Sequence, residues 1–373
     1  MRRSGHFTRS EKAEGMNKKL VQVIEGTASL AIVASLYLVG MYVTPKEKIF
    51  HLDQPVVELR DRFLGIVAPP DKPGTLWMVG KEGKILRSAD SGKVWQVQVS
   101  GTRENLQSIA AWDSQRAVAV GNTGLILVTA DGGNTWKSVT APKSEIDNKL
   151  LRVRIDPQGT AWAVGVMGAV LTSKDFGQTW ERLIPEQDVA WNDIAFPAEG
   201  SIWLVGEFGN VMHTTAPGSK PVAVVSPDAD AASDYEEGSK KLVAPPGWAG
   251  VKMPTDRSLM TIIFSDPQHA TVGGVEGTLL TTSDGGATWT QVSLATKEHI
   301  LDLIYADNRW IGVGGRGLLL VGDDARTAWQ VGRVKADDYA WHAAIAPFQD
   351  KLLIAGATLL EQSRKDLNVY TGN

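Results

Sequence analysis

The sequence predicts an all-β fold: a seven-bladed β-propeller with Asp-box repeats, preceded by one N-terminal transmembrane helix. Three observations predict it. A G-x-x-G turn recurs at nearly constant spacing, an Asp-rich turn ending in Trp recurs in register with it, and one long uncharged run lies near the N-terminus. The 373 residues suit one large all-β domain plus an appendage. Hydrophobic residues make up 43% and charged residues 21%, an ordinary globular balance, but the 38 Gly and 13 Trp are not ordinary. Gly-rich turns between short strands are what an all-β repeat protein needs. The net charge of -4 gives no electrostatic attraction to nucleic acid. The absence of Cys excludes disulfides, thiolate metal sites and cysteine nucleophiles.

Residues 1–19 form a basic N-terminal segment, with Arg2, Arg3, Arg9, Lys12, Lys18 and Lys19 against Glu11 and Glu14. The apolar segment 20–43 follows, and its stretch from Gly26 to Val43 carries no charge. That length suits one spanning helix. The positive-inside rule then places the N-terminus in the cytoplasm and the rest in the periplasm or an equivalent extracytoplasmic space, making the chain a single-pass inner-membrane protein. The segment ends Met41-Tyr42-Val43-Thr44-Pro45, a poor cleavage site, which favours a retained anchor over a signal peptide. Glu25 reads as an interfacial carboxylate near Lys18 and Lys19, or as a polar contact to another membrane helix. Residues 44–60, with Pro45 and Pro55, read as a tether, and 61–373 as the propeller.

The first Gly of the G-x-x-G turn falls at Gly80, Gly121, Gly165, Gly206, Gly274 and Gly314, and a degenerate copy has Gly356 with Leu359 in place of the second Gly. The spacings are 41, 44, 41, 68, 40 and 42. A period near 40 with four short strands per unit is the propeller signature. The near-continuous Val, Ile, Leu and Trp runs fit strands packed on both faces.

The second marker, S/T-x-D-x-G-x-T-W, is the Asp-box. It carries Asp90 and Trp95 in unit one, Asp131 and Trp136 in unit two, Asp175 and Trp180 in unit three, and Asp284 and Trp289 in unit five. Unit six decays to Gly322-Asp323-Asp324-Ala325-Arg326-Thr327-Ala328-Trp329, and units four and seven lack the box. Its predicted chemistry is structural: the Asp accepts backbone N–H bonds across the turn, and the Trp buries its ring between blades. The alternative, metal binding or acid catalysis by these Asp residues, is the weaker one, because the turn between a blade's outer strands lies far from the central channel. In the 68-residue interval, an insertion at 215–257 replaces the box of unit four and holds the acidic stretch Asp228–Glu237. It reads as a docking arm or as a solvated loop.

This repeat resembles that of the photosystem II stability and assembly factors, a family of Asp-box (BNR) propellers with relatives outside photosynthetic organisms. The likeness covers about residues 60–370. It implies a non-enzymatic, extracytoplasmic scaffold that docks onto a membrane protein complex, without a cofactor. The anchor helix departs from the soluble and lipid-anchored members. Relatives with such an anchor are similar to accessory proteins of inner-membrane exporters of the resistance-nodulation-division (RND) type. The implied partner is therefore a photosystem subunit or an RND-type transporter.

Asp-boxes also occur in sialidases, so a glycoside hydrolase is the main rival, and a glycan- or small-ligand-binding propeller is the third reading. A sialidase needs an Arg triad and a Tyr/Glu pair. The nearest string, Arg154-Ile155-Asp156-Pro157, lies in unit three and reads as a strand end. Gly312-Val313-Gly314-Gly315-Arg316-Gly317 matches a dinucleotide motif but leads into a strand, where that motif must open a helix. The six His show no metal-ligand spacing. The expected partner-binding surface is the channel ring, Ser108, Arg152, Asp193, Thr261 and Asp302, closed by Gly65 and Ala343. It is joined by Trp191 and Trp341 at the entrances of blades four and seven, and by Met167, Phe208 and Arg316 on the turn tips.

Overall fold

The computed structural model describes residues 56–58, 60–144, 146, 149–214 and 244–371, with isolated positions before residue 38. The chain divides into two units, Met1–Gln54 and Pro55–Asn373. In the first, residues 26–31 are helical. Among the described residues no helix is long and apolar enough to cross a membrane. The predicted span 20–43 and tether 44–60 lie largely outside the described residues, as do residues 215–243 of the insertion.

The second unit is the seven-bladed propeller. Blade one shows the plan, an antiparallel meander of Phe63–Val67, Leu76–Gly80, Ile85–Ser88 and Gln96–Gln98, ordered from the channel outward. Blades two to six repeat it from innermost strands Leu106–Ala111, Leu150–Ile155, Trp191–Ala198, Leu259–Phe264 and Ile300–Ala306. Blade seven, His342–Phe348, Lys351–Gly356 and Leu359–Ser363, has three strands among the described residues. Its innermost strand lies beside that of blade one and closes the ring.

The period comes from a local constraint. In every blade the innermost strand makes a register shift just after its residue opposite the first Gly of the turn. That shift brings a backbone carbonyl against the Gly. A Cβ at Gly314 would sit 1.8 Å from the His299 oxygen, and one at Gly80 2.0 Å from that of Arg62. Only Gly fits, so it recurs. In blade seven the turn is shorter, and Leu359 begins the third strand, paired with Ala355.

The cores lie between blades. Trp136 packs into the cluster shared with blade one, Trp180 into that shared with blade two and Trp289 into that shared with blade four. Trp95 packs against the cluster that joins blade one to blade seven. Blade four lacks the box, yet Trp248 pairs with Thr214 and fills the same role after the insertion. The predicted insertion boundary is therefore corrected: Trp248–Gly250 is blade four's outer strand.

Candidate functional site

Strand pairing defines the channel ring. The residues after the register shift are Gly65, Ser108, Arg152, Asp193, Thr261, Asp302 and Ala344. Ala344 replaces the expected Ala343. The cause is a one-residue offset: Trp191 corresponds to His342, not to Trp341. Trp191 is fully buried in the blade-three/blade-four core, so its ring is not at the rim, while Trp341 is half-buried. His342 is also fully buried, at a position that is Phe, Leu, Trp or Ile elsewhere, and its Nε2 lies 2.8 Å from Asp338 Oδ2.

Asp193 is the electrostatic centre of the ring. Arg154 donates to both its oxygens, through Nε and Nη2, at 2.8 Å each. The backbone N–H groups of Ile194 (2.9 Å) and Ile262 (3.1 Å) and the Thr261 hydroxyl (3.1 Å) donate as well. Arg152 stands 3.4 Å from Asp193 and 3.6 Å from Asp302. Burial pushes the Asp193 carboxyl up, but Arg154, Arg152 and these hydrogen bonds outweigh it and hold it below the usual range. Asp302 accepts one backbone bond, from Ile345 at 3.0 Å. There burial prevails over Arg152 and Arg154, with Asp193 adding repulsion, and its carboxyl is raised.

The ring stitches blades together in pairs. The Ser108 hydroxyl accepts the Val153 N–H at 3.2 Å, Asp193 accepts Ile262 and Asp302 accepts Ile345. Each time, a polar side chain of an even-numbered blade holds the backbone of the next. Two Arg face two Asp, so the ring is charge-compensated. From it a cavity of about 530 Å³ runs past Ile155, Phe196, Phe264 and Ile304 toward the Asp-box face.

Each Asp-box is a closed, hydrogen-bonded turn. In blade two the Asp131 Oδ1 accepts the Thr129 hydroxyl (2.9 Å) and the Thr135 N–H (2.9 Å), and the Gly133 N–H donates to Thr129 Oγ1 (2.8 Å). Blades one, three and five repeat this around Asp90, Asp175 and Asp284. Hydrogen bonds from Thr288 and Thr282 lower the Asp284 pKa to about 2. In blade six the carboxylate is Asp323, which accepts the Ala328 N–H and the Thr327 hydroxyl, while Asp324 accepts the Tyr305 hydroxyl. Asp90, Asp131, Asp175, Asp284 and Asp323 each accept hydrogen bonds from their own turns. Among the described residues no cluster of His, Asp and Glu is placed to hold a metal.

The G-x-x-G tips share one backbone and differ in side chains. The residue before the second Gly is left-handed in all six, with φ between 48° and 57° at Glu82, Thr123, Met167, Phe208, Glu276 and Arg316. Phe208 is 64% exposed, while Met167 is half-buried. Arg316 pairs with Glu298 at 3.4 Å, and Tyr339 lies under both Arg316 and Arg333. Gly315–Gly317 is a tip followed by the strand Leu318–Asp323, which disposes of the dinucleotide motif. Arg154 stands next to last in its strand, and its bond to Asp193 is not foreseen from the sequence. It lies two residues beyond the ring position Arg152, on the same side of the strand, and that spacing is the available signal.

The family model described as Photosynthesis system II assembly factor YCF48 matches residues 241–339. The photosystem II assembly lipoprotein Ycf48 of Synechococcus sp. (strain CC9902) is 24% identical over 254 residues, 65% of this chain and 67% of that protein. The chloroplastic photosystem II stability/assembly factor HCF136 of Oryza sativa subsp. japonica is 24% identical over 65% of this chain and 64% of its own length. The chain resembles the photosystem II assembly factors. Among solved structures, YCF48 from Cyanidioschyzon merolae superposes with a TM-score of 0.63 at 16% identity, covering 83% of this chain and 98% of that one. YCF48 bound to D1 peptide superposes with a TM-score of 0.59 at 19% identity, covering 80% and 91%. At these identities the superpositions establish the propeller fold. The resemblance read from the repeats holds, and both curated relatives are assembly factors, matched over about two thirds of their length.

Proposed function

We propose that the chain is a non-enzymatic, extracytoplasmic scaffold that binds an integral membrane protein complex and assists its assembly or coupling. The observation that carries this reading is the shared repeat and fold with photosystem II assembly factors, one of them solved with a D1 peptide bound. The site chemistry agrees with it. Arg154, the nearest match to a sialidase carboxylate-binding Arg, is engaged bidentately by Asp193, and the box carboxylates are tied into their own turns. The exposed Phe208 tip offers an apolar anchor on a face that varies from blade to blade. In this reading residues 20–43 hold the propeller at the inner membrane; membrane association is supported by a relative named a lipoprotein. The partner is a photosystem subunit or an RND-type exporter.

A pulldown of the full-length chain from detergent-solubilised native membranes tests this reading. Stoichiometric recovery of either kind of complex supports it and names the partner. Recovery of no membrane protein, together with turnover of a fluorogenic sialoside, overturns it.

A further inference from the structure

Blade stitching accounts for the other charged groups of the channel but not for Arg152. Asp193 accepts five hydrogen bonds: two from Arg154, one each from the N–H groups of Ile194 and Ile262, and one from the Thr261 hydroxyl. A carboxylate offers about four lone-pair sites, so this set leaves no place for Arg152. Arg152 Nε stands 3.4 Å from Asp193 Oδ1 and is buried without a hydrogen-bond partner. Its Nη2 stands 3.6 Å from Asp302 Oδ1, too far for a hydrogen bond, while Asp302 Oδ2 accepts the Ile345 N–H. The two carboxylates balance its charge but do not use its donors. A buried guanidinium in that condition carries a desolvation cost that a ligand with acceptor oxygens would relieve.

The surroundings supply room for such a ligand. The Arg152 side chain is only 14% exposed and lies at the inner end of the cavity of about 530 Å³ that opens toward the Asp-box face. That volume falls in the range that small-molecule sites occupy. Its walls are apolar: Ala111, Ile155, Phe196, Ile263, Phe264 and Ile304 line it and are all half-buried. The charged groups facing Asp302 are Arg152 and Arg154 from blade three and Asp193 from blade four. At the ring positions, blades one, two, five and seven contribute Gly65, Ser108, Thr261 and Ala344, which carry no charge. Asp156 lines the cavity too, but its carboxylate holds the Thr160 N–H at 2.8 Å and Trp162 Nε1 at 2.9 Å.

We propose that this cavity binds a small apolar monocarboxylate, with the carboxylate on Arg152 beside Asp302 and the apolar body between Ile155, Phe196, Phe264 and Ile304. The forked donors of Arg152 suit a carboxylate, and the walls exclude water from the pair. Burial raises the Asp302 carboxyl. Once protonated, Asp302 no longer repels the ligand and donates a hydrogen bond to it, so binding strengthens as pH falls. The inference goes beyond the scaffold reading and does not depend on it.

The test is isothermal titration calorimetry of the full-length chain in nanodiscs of zwitterionic lipid, with empty nanodiscs as the blank and 2-naphthoate as the probe. Saturable binding with one site per chain is expected, with 2-naphthamide at least tenfold weaker. The affinity for 2-naphthoate is expected to rise as pH falls from about 8 to about 5. Arg152→Gln is expected to weaken 2-naphthoate at least tenfold and to bring it to the level of the amide. Asp302→Asn is expected to act in the opposite direction at neutral pH, tightening 2-naphthoate and removing the pH dependence. Each variant is compared only where its melting curve shows it folded. Absence of saturable binding, an amide that binds as tightly as the acid, or parental affinity in folded Arg152→Gln overturns the proposal. The acid–amide comparison needs no variant, so it decides the matter even if both variants fail to fold. Ligand binding is read without a membrane partner, so this inference and the scaffold reading fail separately.

Discussion

The two faces of the propeller use their turns in opposite ways. On the Asp-box face, four turns repeat the same hydrogen bonds around Asp90, Asp131, Asp175 and Asp284, and the side chains that matter point into the turn. On the tip face, six turns repeat one backbone while the residue at the apex changes from Glu82 to Thr123, Met167, Phe208, Glu276 and Arg316. A turn whose side chains hold the turn is constrained in sequence. A turn held by its glycines leaves its apex free for other uses. The ring joins the faces and belongs to the constrained class, because Ser108, Asp193 and Asp302 each hold the neighbouring blade.

The largest expected effect lies in that ring. Asp193→Ala leaves Arg154 and Arg152 facing Asp302 alone and orphans the Ile262 N–H. Removing one partner of a buried ion pair costs about 3–5 kcal/mol. Urea denaturation is expected to show a loss of that size. Asp302→Asn is expected to cost less, because the Asp302 carboxyl is already raised and makes fewer bonds. Equal losses in the two variants would mean that Asp193 is not the centre of the network.

Next in size is the Asp-box face. Thr129→Val keeps the shape of a buried side chain but removes the acceptor for the buried Gly133 N–H. An unsatisfied buried donor costs about 1–3 kcal/mol. A melting temperature unchanged from that of the parent would make the box decorative. The acid limb sharpens the point. Asp284 has a folded pKa of about 2, below its usual value near 3.8. Its contribution is therefore fully present above about pH 4 and is lost as pH falls through about 2. Asp284→Asn is expected to flatten the fall in stability over that window and to leave its shape at neutral pH unchanged. A pH-stability curve checks this.

The repeat is legible in the sequence because its causes are local. A Gly is required wherever a Cβ would strike a carbonyl, and an Asp-box needs only eight consecutive residues, so both survive as patterns. Blade six is the boundary case: its box uses Asp323, one residue earlier than the pattern indicates, because the closing Gly is absent. Most ring positions are legible by alignment. Blade seven slips by one residue because Trp341 resembles Trp191, whereas strand pairing matches Trp191 to His342. What the ring residues bond to is not legible. The Asp193–Arg154 and Asp193–Ile262 bonds cross blade boundaries, and no local pattern encodes the spacing between blades. Trp248 is hidden for a related reason, since the long insertion removes the box that announces a fourth strand.

The smallest effect on stability is the one most informative about function. Phe208 is 64% exposed at the apex of the blade-four tip, and its backbone N–H donates to the Ser258 hydroxyl at 3.3 Å. Phe208→Ala removes an exposed ring and keeps that bond and the glycines that shape the turn. Its effect on unfolding is expected to stay within about 0.5 kcal/mol. If the tip face carries recognition, the same substitution lowers recovery of the membrane partner several-fold, since aromatic anchors dominate binding surfaces. Thr129→Val, on the other face, is expected to reverse the pattern, with lower stability and normal recovery at temperatures where the variant is folded. Quantitative pulldowns of both variants beside their denaturation curves measure this. A Phe208→Ala protein that retains full recovery would move the binding surface off the blade-four tip, whereas a loss of recovery in both variants would remove the division between the faces.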